Sequence, residues 1–173
     1  LDKGFELDDK LLVEDYIPGR ELRVAVVERE SKLSVLPMIE YLVTEEHPIR
    51  TVHDKYVLQS DGTPGKQPEK PIAKPICPAN VTPELFEKLA NAAKNAHITL
   101  GCRDYSLYDF RVHSETNEPY FLEAGLFWGF GKISMISRML QADGQSLEDV
   151  ALELWSAAAG RTRVACGSLF KWN

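Results

Sequence analysis

The stretch whose reading decides the fold is "YDFRVHSETNEPYFLEAG", residues 108–125. Apolar and polar residues alternate on either side of "SETNEP", the period-two pattern of two antiparallel strands joined by a short loop. A turn centred on Thr116 sets Tyr108 against Ala124, Phe110 against Leu122 and Val112 against Tyr120 on an apolar face. The other face then carries Leu107 with Gly125, Asp109 with Glu123, and Arg111 with Phe121. Two carboxylates directly opposite on a sheet have Cβ atoms only about 5 Å apart and repel each other. A positive charge belongs between them. Arg111, one pleat away, would supply it in an ordinary surface ion cluster. A divalent cation would supply it equally, because magnesium takes one or two carboxylates together with water and phosphate oxygens.

The rest of the chain narrows the class. With 173 residues, 44% hydrophobic and 27% charged, there is ample material for one core. The net charge of -6 argues against a general nucleic-acid binder. Cys77, Cys102 and Cys166 are scattered without metal-type spacing and fit a reducing, cytoplasmic setting. No apolar run reaches membrane-spanning length, so no membrane association is expected. A start at Leu1 rather than Met, running quickly into strand-like sequence, suggests a piece of a longer protein.

Upstream of the hairpin, "LLVEDYI", "ELRVAVVERE" and "LSVLPMIEYL" read as three strands. Pro18-Gly19, between the first two, suits positions i+1 and i+2 of a type II turn. Residues 44–83 hold seven of the ten prolines and read as a long irregular loop, mobile over 44–80. A helix follows, with Thr82 as N-cap, Pro83 in the first turn, and Leu85, Leu89, Ala92, Ala96 and Leu100 along one face before Gly101 stops it. Ser134 caps a short helix ending near Gly144. Ser146 caps another, along which Leu147, Val150, Ala151, Leu154 and Ala158 follow the helical period. The expected class is α+β, an antiparallel sheet with packed helices and a long Pro-rich loop.

In order and spacing these parts resemble the C-terminal region of an ATP-grasp ligase, most closely the D-alanine–D-alanine ligase family. The resembling segments are "LLVEDYIPGRELRVAVV", "HDKY", "CPANVTPELFEKL", "LGCRDYSLYDFRV", and "PYFLEAG" followed by "GFGKIS". Such enzymes hold ATP between two sheets, phosphorylate a carboxylate, and let an amine displace phosphate from the acyl-phosphate. The resemblance implies ATP and Mg2+ as cofactors and small amino-acid or carboxylate substrates, and leaves a homodimer open.

It also implies roles residue by residue. Glu14, Tyr16 and Ile17 would meet the adenine edge, Glu21 the ribose hydroxyls, Lys55 a phosphate, and Leu122 the adenine pocket. Tyr56 would lock the lid over the substrate, excluding water from a hydrolysable acyl-phosphate. Asp109 and Glu123 would ligate magnesium. Gly129 would offer its N–H to a tetrahedral intermediate, and Ser134 would meet a substrate carboxylate at a helix N-terminus.

Two departures stand out. The family motif has an asparagine, a third magnesium ligand, where this chain has Gly125, and an arginine where it has Leu107. These two positions face each other in the expected hairpin, beside the acid pair. Arg111 and Lys132 are nearby cations that could compensate. The change is consistent with a divergent enzyme using another substrate, or with a non-catalytic nucleotide-binding module. The family's glycine-rich phosphate loop and first-substrate site come from regions N-terminal to Leu1, so this chain alone is expected to be inactive.

Overall fold

The structure, a computed structural model, describes residues 2–55, 57, 59, 65 and 71–161. The elements run α1 (Asp2–Phe5), β1 (Gly19–Arg29), β2 (Lys32–Val35), β3 (Ile39–Leu42), α2 (Val52–Lys55), β4 (Lys74–Ile76), α3 (Pro83–Thr99), β5 (Tyr105–His113), β6 (Pro119–Gly125), α4 (Met135–Ala142) and α5 (Leu147–Gly160). Six strands form one sheet in the order β4-β3-β1-β5-β6, with β2 also paired to β1, and every pairing is antiparallel. The α+β expectation holds.

β1 is the spine. Its run "VAVV", residues 24–27, is apolar without interruption because both faces of the strand are covered there. Leu22, Val24 and Val26 join Leu85, Leu89, Ala90 and Ala93 of α3 and Tyr108, Phe110 and Val112 of β5 in one core. Ala25 and Val27 join Ile39, Trp128, Ile136, Met139 and Leu140, and Val150 and Leu154 of α5, in a second core on the opposite face. Glu21 and Arg23 share that second face by alternation. The second face therefore has an apolar half under α4 and α5 and a charged half beside it.

"LSVLPMIEYL" is two strands rather than one. β2 pairs with the far end of β1 (Val26↔Val35 to Arg29↔Lys32) and β3 with its near end (Glu21↔Tyr41 to Arg23↔Ile39). Pro37 sits at the break, where a missing N–H cannot extend the ladder. "LLVEDYI" is not a strand. It has no regular structure, with Leu12 and Val13 85% and 77% exposed, and it pairs with no strand among the described residues. The Pro18-Gly19 pair consequently makes no hairpin. Gly19 has φ +134°, and a Cβ there would lie 2.1 Å from the Val112 carbonyl oxygen, so only glycine allows β1 to meet the end of β5.

The 44–80 segment is less irregular than expected, because it contains α2 and β4, and β4 pairs with β3. Tyr56 lies outside the described residues, as does part of the expected lid.

α3 begins as expected, with the Thr82 hydroxyl accepting from the Leu85 N–H at 3.3 Å and Pro83 in the first turn. Its buried face is rotated from the expected one, running Leu85, Leu89, Ala90, Ala93 and His97 while Leu100 is exposed. His97 can be buried because its Nδ1 lies 2.7 Å from the Ser106 hydroxyl. Gly101 stops the helix at φ +64°. Ser134 and Ser146 cap α4 and α5 as expected, accepting from Ser137 N–H and Asp149 N–H at 3.2 Å each. Leu147, Val150, Ala151 and Leu154 are buried and Ala158 is exposed.

The decisive hairpin forms with the expected register at its inner end: Leu107↔Gly125, Tyr108↔Ala124 and Asp109↔Glu123. A bulge between Asp109 and Phe110 then shifts it by one residue, so Phe110 faces Phe121 and Val112 faces Pro119 rather than Leu122 and Tyr120.

Candidate functional site

The acid pair stands on the charged half of the second face. Asp109 is flanked by two strands, with Glu123 opposite it on β6 and Arg23 opposite it on β1. The positive charge demanded by two facing carboxylates comes from Arg23. Its Nε donates to Oδ1 and its Nη2 to Oδ2 of Asp109, both at 2.6 Å, in a bidentate fork. Burial opposes the charge on each partner. It acts to lower the pKa of Arg23, yet the hydrogen bonds to Asp109 and the nearby Tyr41, Asp109 and Glu123 raise it above its ordinary value. Burial acts to raise Asp109, yet Arg23 and Arg50 hold it below the usual carboxylate range.

Arg111, the expected counter-ion, is committed elsewhere. It donates to the carbonyls of Ile17 (2.7 Å), Gly19 (2.9 Å) and Pro48 (3.0 Å), and to the Tyr16 hydroxyl at 3.3 Å. Its guanidinium also lies 3.7 Å from Glu21 and over the Tyr16 ring. Arg50 approaches the other oxygen of Glu21 at 3.5 Å and stacks on Tyr41, 3.6 Å from the ring centroid. Arg23, Arg50 and Arg111 thus interleave with Glu21, Asp109 and Glu123 along one strip of the sheet.

The fit of magnesium to this strip is decided by Asp109. The ion needs oxygens at about 2.0–2.1 Å in near-octahedral geometry. Both Asp109 oxygens already accept from a guanidinium, and Gly125, where a third protein ligand would stand, has no side-chain donor. Among the described residues no group of three or more His, Cys, Asp or Glu side chains is arranged to hold a metal ion. As they stand, the residues present do not fit the ion.

The D-ala D-ala ligase C-terminus family model matches residues 1–155 of the chain. The chain belongs to that family. D-alanine–D-alanine ligase of Carboxydothermus hydrogenoformans is 30% identical over 148 residues, covering 86% of this chain and 43% of the relative. The Legionella pneumophila ligase is 33% identical over 152 residues, covering 87% of this chain and 39% of the relative. The chain therefore spans less than half the length of these relatives. Among solved structures, D-alanyl-alanine synthetase A of Vibrio cholerae superposes with a TM-score of 0.66 at 24% identity, over 90% of this chain and 43% of that one. The VanG D-Ala:D-Ser ligase of Enterococcus faecalis gives a TM-score of 0.65 at 24% identity, over 90% and 40%. These likenesses establish the shared ATP-grasp fold.

Against the family motif, the remaining candidates fall as follows. Glu14 and Tyr16 are exposed on the irregular segment before β1, and the Ile17 carbonyl is taken by Arg111. Glu21 is buried between Arg50 and Arg111. Leu122 sits at the bulge and is 47% exposed, so core packing does not account for it. Lys55 ends α2 with its side chain exposed. Gly129 follows Trp128, whose buried ring stacks on Tyr105 at 4.4 Å and fixes the start of that loop; a Cβ at Gly129 would meet nothing within 4 Å. The Ser134 hydroxyl caps α4.

Sequence reasoning missed Arg23, Arg50 and Asp54. Among the described residues of "HDKY" the buried one is Asp54, which accepts from the N–H groups of Thr51 (2.8 Å) and Ala73 (2.9 Å) and the Thr51 hydroxyl (3.2 Å), with His47 Nε2 at 2.8 Å. Burial acts to raise its pKa, but these hydrogen bonds hold it well below the usual carboxylate range. Arg23 was legible in one respect: it alternates with Glu21 in "ELRVAVV", which places a cation on the same face as the acids.

Proposed function

We propose that the chain is the C-terminal catalytic region of a cytoplasmic, ATP-dependent carboxylate–amine ligase that works through an acyl-phosphate and joins small amino acids, D-alanine among the candidates. The observation that carries this reading is the family match over residues 1–155, together with the strip of alternating arginines and carboxylates on one sheet face. ATP would lie along that strip. Glu14, Tyr16, Ile17 and Leu122 would border the adenine, and Glu21 the ribose. Lys55 and the arginines would offset phosphate charge. Tyr56 would close the lid, the Gly129 N–H would face the developing oxyanion, and Ser134 would meet the substrate carboxylate. Such catalysis consists mainly of positioning and charge stabilisation. Magnesium, which the family resemblance implies at Asp109 and Glu123, has no matching donor set here, and no step is assigned to it.

Leu107 and Gly125 favour a second reading, an ATP-grasp protein with another substrate or with nucleotide binding alone. ADP release by the full-length protein with a panel of amino acids separates the two. D-alanine-dependent release supports the first, release with a different amino acid supports a divergent ligase, and nucleotide binding without turnover supports a non-catalytic module. No helix among the described residues is long and apolar enough to cross a membrane.

A further inference from the structure

We infer that Arg23 is a built-in counter-ion that takes the place of a divalent cation at Asp109 and Glu123. Three observations carry this. Arg23 is the direct cross-strand partner of Asp109 and occupies both of its oxygens at 2.6 Å, which are the oxygens a metal would need. The pair is largely withdrawn from water, with side-chain exposures of 19% and 9%, so a metal entering would have to break a charge-assisted fork and leave a guanidinium stranded. Finally, the position beside Glu123 on the same face is Gly125, with Leu107 against it, so that position offers no side-chain oxygen to reward the exchange.

The arrangement is also self-consistent in charge. With Arg23 in place the two facing carboxylates are no longer an uncompensated pair, and the repulsion that would draw a cation is already offset. Arg23 cannot lose its proton under ordinary conditions, so the compensation is permanent. A lysine would supply a point charge but not the planar fork that covers both oxygens. The consequence for the ligase reading, on which only this last step rests, is that nucleotide phosphates reach a strip whose cations are guanidiniums, and binding there does not depend on metal held by Asp109 and Glu123.

The test uses the full-length protein and Mn2+, whose binding is read directly by electron paramagnetic resonance without nucleotide. The wild type and Glu123→Gln are expected to bind Mn2+ alike. Glu123 is exposed, so its change leaves the fold undisturbed. Arg23→Ala is expected to gain a Mn2+ site at least tenfold tighter than any in the wild type, and Arg23→Ala with Glu123→Gln to lose it again. Arg23→Lys serves where the alanine variant does not fold, with a smaller gain expected. A wild-type Mn2+ site weakened more than threefold by Glu123→Gln would overturn the inference, as would folded Arg23 variants that gain no site. In parallel, ATP affinity of the wild type is expected to agree within threefold in Mg2+ and in EDTA, and a tenfold loss in EDTA would overturn the inference. Absence of ATP binding in both conditions would instead defeat the ligase reading, while the Mn2+ titrations still decide the role of Arg23.

Discussion

Leu107 faces Gly125 across β5 and β6, and a Cβ built at Gly125 would lie 3.5 Å from the Cβ of Leu107. That is ordinary van der Waals contact, so Gly125→Asn is expected to fold. Leu107→Arg removes packing against the second core and places a charge beside Asp109. Because the two side chains would touch, their effects are expected to couple by about 0.5–3 kcal/mol. The measurement is D-alanine-dependent ADP release by the full-length single and double variants. A double variant exceeding the combined singles supports an altered ligase. Three variants that bind nucleotide but release no ADP point to a non-catalytic module.

Asp109→Asn is expected to destabilise the fold as well as alter the site. It keeps the volume but removes the charge that Arg23 grips, and stripping one partner from a buried pair costs about 3–5 kcal/mol. Urea unfolding of the variant should show a lower midpoint with an unchanged slope. An unchanged midpoint would mean that the fork contributes little and that Arg23 finds another partner.

Asp54 gathers His47, Thr51 and Ala73 around one carboxylate, tying α2 to the start of β4. Asp54→Asn turns a double acceptor into a group that points N–H at N–H, with an expected cost of about 1–3 kcal/mol. Amide exchange at Thr51 and Ala73 should speed up in the variant while exchange in β1 stays the same. The pKa of Asp54 in the fold is depressed, so its contribution is fully present above the ordinary carboxylate pKa of about 3.9 and declines as pH falls below it. Exchange at these amides should therefore be insensitive to this carboxylate at neutral pH and accelerate only in acid.

Gly19→Ala is expected to be severe for a residue at the start of a strand. A positive φ alone costs about 1–3 kcal/mol for a residue with a side chain. The added methyl would also overlap the Val112 carbonyl oxygen. Lower thermal stability with loss of protection at Ser114, whose N–H donates to the Pro18 carbonyl at 3.0 Å, would show that the junction of β1 and β5 had opened.

What the sequence made legible follows from how local each signal is. The caps at Thr82, Ser134 and Ser146 were readable because a side-chain oxygen, the amide it accepts from and the apolar period all lie within a few residues. The Asp109↔Glu123 pairing came out as expected because two shifts cancel: the pairs next to the turn sit one residue off the register centred on Thr116, and the bulge restores it at Asp109. The bulge beyond Asp109 left no mark in composition, and everything past it was read one residue out of step. Arg23 and Asp109 are 86 residues apart, and only the pairing of β1 with β5 brings them together. The strand expected at residues 11–17 had the right composition but finds no strand to bond with among the described residues, since a strand is defined by its neighbour and not by itself.

β6 ends the strand order, and Tyr120, Phe121 and Leu122 stand 44%, 48% and 47% exposed along it. An edge with three adjacent apolar side chains is a ready template for a strand from another molecule, which is how exposed sheets come to aggregate. For laboratory handling this makes β6 the place to intervene when the chain is expressed by itself. Leu122→Lys puts a charge on the bulged residue, which takes no part in the described ladder and is not buried in either core. It should improve solubility and leave the Asp109 register intact.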